Sequence, residues 1–445
     1  MTGALATRPR RSLPEDETAL LVRYRNDGDE FHLIWTARRA LRLLDVQSAA
    51  DKITVEGISR DDAARGIAEG LLVVDTAEYV GGPSPSIHYC QLKYSTRAQE
   101  DAWPMSGLAD TIKGFAARFA KIEQQEGNAP DTSRYSFRFV TNRPIADSVT
   151  KAVDSILSNT PTEDLPKRIK DAREALLAAI AMPIHQTIQF LKCLEFHGGQ
   201  PALTAQAQGL STDARQIIPG GDIDVAFRLK EMVRQRTLSA SDGFCEITRE
   251  TVLAALGVDR VEDLLPAPSA IEPPSVMIER DEFRRIAEAI RQAEATVIVR
   301  APGGFGKSML TLDLPRLMPA GSATVIYDCF NGGNYRALSS ARHRVGTTVV
   351  QITNDLAGRS LCQPLLPRAS IDASTWMRAF RVRLEQAAAA VMAASPQALI
   401  VVIVDAGDNA VSETETSQCR AKMGKFGVDP SQLAWISSPK VYFQM

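Results

Sequence analysis

The chain has little that would place it in a membrane, in an oxidising compartment, or on a polyanion by charge alone. Its longest apolar runs, Ala387 to Ala394 and Ala398 to Val404, fall far short of the roughly 18 residues that a membrane span needs. No membrane partner is therefore expected. Residues Met1 to Leu13 carry Arg8, Arg10 and Arg11 with no apolar core behind them, which reads as a flexible arm rather than a signal peptide. The six cysteines are scattered, with no CxxC pair and no Cys/His cluster. That pattern speaks for reduced thiols in a cytoplasmic protein and against a zinc site. Basic and acidic residues number 51 and 53, so a polybasic nucleic-acid coat is excluded as the main feature while local basic patches remain open. A chain of 445 residues has room for two or three domains, each with its own core.

What is present is organised around Thr296 to Ser308, TVIVRAPGGFGKS. The β-branched run Thr296 to Val299 predicts a buried parallel strand that breaks into a glycine-rich turn. Gly303, Gly304 and Gly306 lead into Lys307 and Ser308, and successive backbone N–H groups of such a loop, at the mouth of a helix, face an anion. Lys307 would reach the β- and γ-phosphates of ATP, and the Ser308 hydroxyl would hold Mg²⁺. The spacing is that of a Walker A motif with Ala301 in place of the first glycine. Ala398 to Val404 predicts an apolar strand ending at Asp405, with Asp408 three residues on, the arrangement by which a Walker B strand presents a carboxylate to the metal.

The first folded unit is expected to begin near Asp27 with a core-facing helix over Glu30 to Asp45. Strands are expected over Lys52 to Ile58, Leu71 to Val80 and Ile87 to Ser95, followed by a helix near Leu108 to Glu123 and a strand over Tyr135 to Thr141. Glu56, Asp75, Gln91 and Lys93 fall on these strands. Gln91 and Lys93 are two apart and so project from the same face; a lysine on a core side is costly unless it meets an anion. If the second and third strands pair, Asp75 comes close to that lysine. Two carboxylates, an amide oxygen and a lysine suit metal-assisted phosphodiester hydrolysis. The alternative from spacing alone is that Gln91 and Lys93 line the solvated face of an edge strand and that Asp75 opens a turn.

Glu56 in VEG, Asp75 in VVDTAEY, the trio Gln91, Leu92 and Lys93, and the phrase FRFVTNRP at Phe137 to Pro144 resemble the PD-(D/E)xK restriction-endonuclease-like fold. The closer likeness is to the form with Gln in the third motif, found at the N-terminus of bacterial antiphage effectors. The resemblance implies that Asp75 is the main Mg²⁺ ligand, that Glu56 and Gln91 assist it, and that Lys93 is catalytic. Further on, APGGFGKS, VIYDCF, RHR at Arg342 to Arg344, QITNDLA and IVDAGDNA resemble a STAND NTPase of the NACHT-like subgroup. In that pattern Asp405 and Asp408 are the acids of the nucleotide site. The resemblance ends after Ala410, where the family continues into a sensor-bearing region. Val411 to Met445 is polar and short, which suggests a truncated, frame-shifted or split form.

The resulting expectation is an α/β protein with six segments. Residues 1–26 form an arm and residues 27–146 a nuclease domain. Residues 147–264 form a mostly helical annex with no evident chemistry, in which His185 and His197 have ordinary roles. Residues 265–278 are a proline-rich, extended linker, residues 279–410 a partial P-loop NTPase with a parallel sheet, and residues 411–445 an atypical tail. The implied activity is Mg²⁺-dependent cleavage of double-stranded DNA in antiphage defence, governed by ATP and by homo-oligomerisation, with a phage protein as trigger through a missing C-terminal sensor. Two other readings stand beside it. One is a nucleotide-binding signalling or scaffold protein with an inactive nuclease-like domain, and the other is an inactive fragment of such an effector.

Overall fold

The computed structural model describes residues 15–407 apart from 47–48, 58, 128–130, 221–223, 239–244, 294–296 and 335–340. It is a mixed α/β protein that divides into two compact units. The first comprises residues up to Ala40, Ala49–Leu210 and Leu229–Thr248; the second comprises Leu41–Ser48, Ser211–Arg228 and the residues from Arg249 onward. No helix among the described residues is long and apolar enough to cross a membrane.

The first unit is built on one sheet of six strands: β1 (Ala50–Val55), β2 (Thr76–Val80), β3 (Ser86–Lys93), β4 (Tyr135–Thr141), β5 (Leu194–His197) and β6 (Glu246–Thr248), in the order β5-β4-β3-β2-β1-β6. The turn-forming GGPSP between β2 and β3 lets them pair as an antiparallel hairpin. A parallel neighbour needs a longer return, and the helix Met105–Glu126 supplies it between β3 and β4. That helix stops at Gly127, whose φ of 82° is left-handed and open to glycine without strain. Alternation along the strands separates two layers. Tyr89, Phe137 and Phe139 pack with Leu108, Ile112, Phe115 and Phe119 of the helix on one face. Cys90, Leu92 and Val140 meet Phe31 and Trp35 of the helix Glu15–Ala40 on the other.

Several sequence expectations are corrected here. Leu71 to Val80 is not one strand: Leu71–Val73 is a 3₁₀ turn, and pairing begins at Thr76. The first strand ends at Val55 because Glu56 turns away with a φ of 46°. The stretch expected to be helical after Asp147 contributes both edge strands. Ile184 starts a helix that ends at Cys193, and Leu194–His197 then adds beside β4 as β5. β6 pairs with β1. Four-residue and three-residue strands carry too little alternation to stand out from a helical background.

Beneath the sheet, Asp62 and Arg118 form a fully buried ion pair, 0% and 2% exposed, at 2.7 Å. The Asp62 carboxylate also accepts from the Tyr79 hydroxyl at 2.8 Å and the Arg65 guanidinium at 2.8 Å. Burial, with the Asp62 charge next, pushes both the Tyr79 and Tyr89 phenols well above the ordinary range. Arg118 also stacks 4.2 Å from the centre of the Tyr89 ring. A single carboxylate thus ties the short helix Arg60–Ala64 to β2, β3 and the long helix.

In the second unit, β7 (Ala323–Asp328) and β8 (Ile400–Asp405) pair in parallel, with Asp328 opposite Asp405. Helices Val345–Ala357 and Ala373–Ala394 cover one face through Val349, Ile352, Trp376 and Phe380. Helices Asp281–Gln292 and Lys307–Leu317 cover the other through Phe283, Ile290, Leu310 and Leu314. Because both faces are buried, β8 reads as a continuous apolar run. Of the strand expected over Thr296 to Val299, Thr296 lies outside the described residues and Val297 to Val299 join no ladder among them; Val297 and Val299 pack by their side chains alone. The proline-rich stretch is not a free connector either. Ala267 is 1% exposed; its amide donates to Gln351 and the Ala270 amide donates to Asp328, which fasten the stretch to the second unit.

Removing one partner of the buried pair should be far costlier than removing a surface bridge. Arg118→Ala is expected to destabilise the first unit by about 3–5 kcal/mol, measured as a loss in urea midpoint. A loss below about 1 kcal/mol, the scale of an exposed pair, would show that the network does not hold this unit together.

Candidate functional site

Asp75 lies just before β2, at the end where β3 runs on past it. Its own N–H donates to the Cys90 carbonyl at 3.0 Å, extending the hairpin by one rung. Its carboxylate then takes the next position: the Leu92 N–H donates to Asp75 Oδ2 at 2.7 Å. An amide-to-carboxylate bond of this length is charge-assisted and strong, and it fixes the Asp75 side chain against the β3 backbone at Leu92, the residue between Gln91 and Lys93 in sequence. The Leu92 carbonyl is held from the other side by His32 Nε2 at 2.8 Å. Glu56 joins the same corner through its backbone, its N–H donating to the Asp75 carbonyl at 2.8 Å. Its left-handed φ of 46° costs a non-glycine residue about 1–2 kcal/mol. The Glu56 carboxyl is pushed above its ordinary range by desolvation first, then by the Asp75 and Asp29 charges, with His32 opposing.

Gln91 and Lys93 leave the strand in different environments. Gln91 is 4% exposed, and its amide oxygen accepts from the Thr111 hydroxyl of the helix Met105–Glu126. Lys93 is exposed at the strand end. The lysine therefore needs no buried anion, contrary to the core-side expectation. The edge-strand alternative fails too, since β3 is flanked by β2 and β4.

Among the described residues, no group of three or more His, Cys, Asp or Glu side chains is placed to hold a metal. Asp75 and Glu56 bring two carboxylates to this corner, while the Gln91 oxygen on the adjoining strand is engaged by Thr111. An all-oxygen set suits a hard cation such as Mg²⁺, with water completing its shell. His32 and Thr111 were not singled out in the sequence. The signal for His32 was a polar residue inside the apolar stripe of Phe31 and Trp35; Thr111 left none.

In the second unit, Pro302 to Gly306 form the turn and Lys307 opens the helix Lys307–Leu317. Gly306 precedes the helix with a φ of 84°, a conformation a side chain would strain. Nothing lies within 4 Å of the Cβ positions at Gly303 and Gly304, so the loop backbone is open to an approaching group. Lys307 Nζ donates to its own loop, to the carbonyls of Ala301 at 2.6 Å and Pro302 at 3.1 Å. The Ser308 hydroxyl donates to Asp405 Oδ2 at 2.9 Å, so these residues, 97 apart in the chain, share one site at the carboxyl end of β8. Asp408 lies outside the described residues.

Burial pushes the Asp405 carboxyl up, with the Asp328 charge adding and the Ser308 bond and Lys307 opposing. Asp328 itself is committed to structure. It accepts from the amides of Phe330 at 2.8 Å, Asn331 at 3.1 Å and Ala270 at 3.0 Å. Arg342 donates to the Asp328 carbonyl at 2.5 Å and to Pro268 at 2.6 Å. The first arginine of RHR is thus a clamp on β7.

Compared with known proteins, the chain matches no family model and no curated relative.

The Asp405 shift has a definite sign. A carboxyl whose folded pKa is raised costs stability as pH rises from its unfolded value through its folded value, because the native state holds the proton longer. Asp405→Asn, which keeps an oxygen for Ser308, should therefore raise the melting temperature at pH 7. The gain should vanish near pH 4, an ordinary carboxylate pKa being about 3.9. A lower melting temperature for the variant at neutral pH would contradict this account.

Proposed function

We propose that this protein is a Mg²⁺-dependent nuclease whose cleavage is governed by ATP at a P-loop site, acting on double-stranded DNA as an antiphage effector of the STAND type. The observation that carries the hydrolytic half is the 2.7 Å bond that holds Asp75 Oδ2 against Leu92, between Gln91 and Lys93. The nucleotide half rests on the Ser308 to Asp405 bond beside a glycine-rich helix mouth. Mg²⁺, when bound, supplies a Lewis acid and an activated water.

Asp75 presents its uncommitted oxygen at a fixed angle because the other is held by the Leu92 amide. Glu56, whose carboxyl holds a proton more readily than an ordinary glutamate, can take the proton released by the attacking water. Lys93, exposed at the strand end, can meet the phosphate charge. In the second unit the Lys307 ammonium, held by two loop carbonyls, would hold the phosphate oxygens of ATP, and binding there would favour an assembled state in which nuclease units lie side by side on the duplex. Contacts to DNA would be mainly to phosphates, with little sequence preference.

One observation favours a second reading, a nucleotide-dependent binding module without cleavage: the Gln91 oxygen is buried and already engaged by Thr111.

Plasmid degradation with Mg²⁺, with and without ATP, separates the two. Asp75→Ala and Lys93→Ala are each expected to lower cleavage by about 100-fold or more, and Lys307→Ala to abolish its dependence on ATP. If Lys93→Ala and Asp75→Ala cleave as wild type does, the hydrolytic reading is wrong.

A further inference from the structure

A cavity of about 390 Å³ in the second unit is lined by arginine on several sides and, among the described residues, by no carboxylate. The helix Ala373–Ala394 contributes a stripe at helical spacing, Thr375, Arg378, Ala379, Val382, Arg383 and Gln386. The opposite wall is Arg215 to Gly220, docked by the Leu366 amide donating to the Ile217 carbonyl at 3.0 Å. None of the lining residues belongs to the P-loop or to the Asp75 corner.

Arg383 is the unusual member. It is 5% exposed, and among the described residues its charge is met by backbone carbonyls alone: Gln363 at 3.1 Å, Ala379 at 3.1 Å, Pro364 at 3.0 Å, and Gln216. These four bonds leave one of the roughly five N–H donors of a guanidinium without an acceptor among the described residues. Burial without a counter-ion pulls its pKa down to about 10, which still leaves it charged at neutral pH. Arg215 and Arg378 line the same cavity, and neither has a carboxylate partner among the described residues. A buried cation is ordinarily paired; here, no acid among the described residues lines the cavity to supply the pairing.

We infer that this cavity is a second ligand site, for a small phosphate-bearing anion with an apolar part, such as a nucleoside monophosphate. Arg378 and Arg215 bind the phosphate in the forked geometry that guanidinium groups offer it, and Arg383 supplies the positive floor. Ile218, Pro219, Ala379 and Val382 form the apolar wall, while Gln363 and Gln386 offer amides for a base edge. The volume lies within the range of small-molecule sites, about 300–1,000 Å³. This site is independent of the nuclease and ATP readings, and it gives the second unit a means of sensing a metabolite apart from the P-loop.

The test is calorimetric titration of the full chain carrying Lys307→Ala, which disables the P-loop lysine, with adenosine monophosphate, pyrophosphate and uncharged adenosine as probes. Adenosine monophosphate is expected to bind at least tenfold more tightly than adenosine. That affinity should fall at least tenfold when Arg378→Gln or Arg215→Gln, both at exposed positions, is added. Arg383→Gln is left aside because its loss threatens the fold. The inference is overturned if neither phosphate probe binds, if adenosine binds as well as its monophosphate, or if both arginine variants bind as the parent does.

Discussion

The hydrogen bond from the Leu92 amide to Asp75 places the whole N-terminal corner. Where β2 has not yet begun, β3 has a backbone donor with no strand opposite it, and a buried donor left alone costs about 1–3 kcal/mol. Asp75 answers that need with a side chain in place of a backbone carbonyl, so the ladder's termination and the carboxylate's position are one fact. Glu56 arrives by the same route, through its N–H to the Asp75 carbonyl. The acids are therefore set by sheet geometry, and their mutual repulsion is borne by a scaffold anchored elsewhere, on the Asp62 and Arg118 pair.

The second unit repeats the principle at the carboxyl ends of parallel strands. Asp328 and Asp405 are opposite one another in register, two acids that would repel if both were free. They have been given different tasks by their surroundings. Three backbone amides surround Asp328 and Arg342 grips its carbonyl, whereas Asp405 meets the Ser308 hydroxyl and the adjoining backbone among the described residues, and burial displaces its carboxyl upward. Of the two, Asp405 is the one left available to a ligand.

Much of this was legible in the residues. Tyr135–Thr141 appears as the strand that its alternation predicts, and the apolar run before Asp405 appears as a strand because both of its faces are buried. The glycine and lysine pattern led directly to the helix mouth at Lys307. What escaped notice was set by distance along the chain. β5 and β6 are strands because β4 and β1 offer open edges, which no local pattern announces. Val297–Arg300 has strand composition yet no ladder among the described residues, since pairing needs a partner as well as a propensity. Thr111 and His32 reach the corner from helices, and the arginine-lined cavity gathers residues more than 140 positions apart. Side-chain spacing suggested one face for Gln91 and Lys93, but exposure differed because the helix Met105–Glu126 covers Gln91 alone.

The claim most exposed to refutation is that the corner around Asp75 is a metal site rather than a well-satisfied strand end. Electron paramagnetic resonance of Mn²⁺ added to the full chain measures this without requiring turnover. Ser308→Ala serves as the background, so that the second unit's hydroxyl cannot contribute. The account predicts saturable Mn²⁺ uptake that is lost on adding Asp75→Asn, a change that keeps an oxygen for the Leu92 amide and so preserves the fold. Equal uptake with and without Asp75→Asn would contradict it.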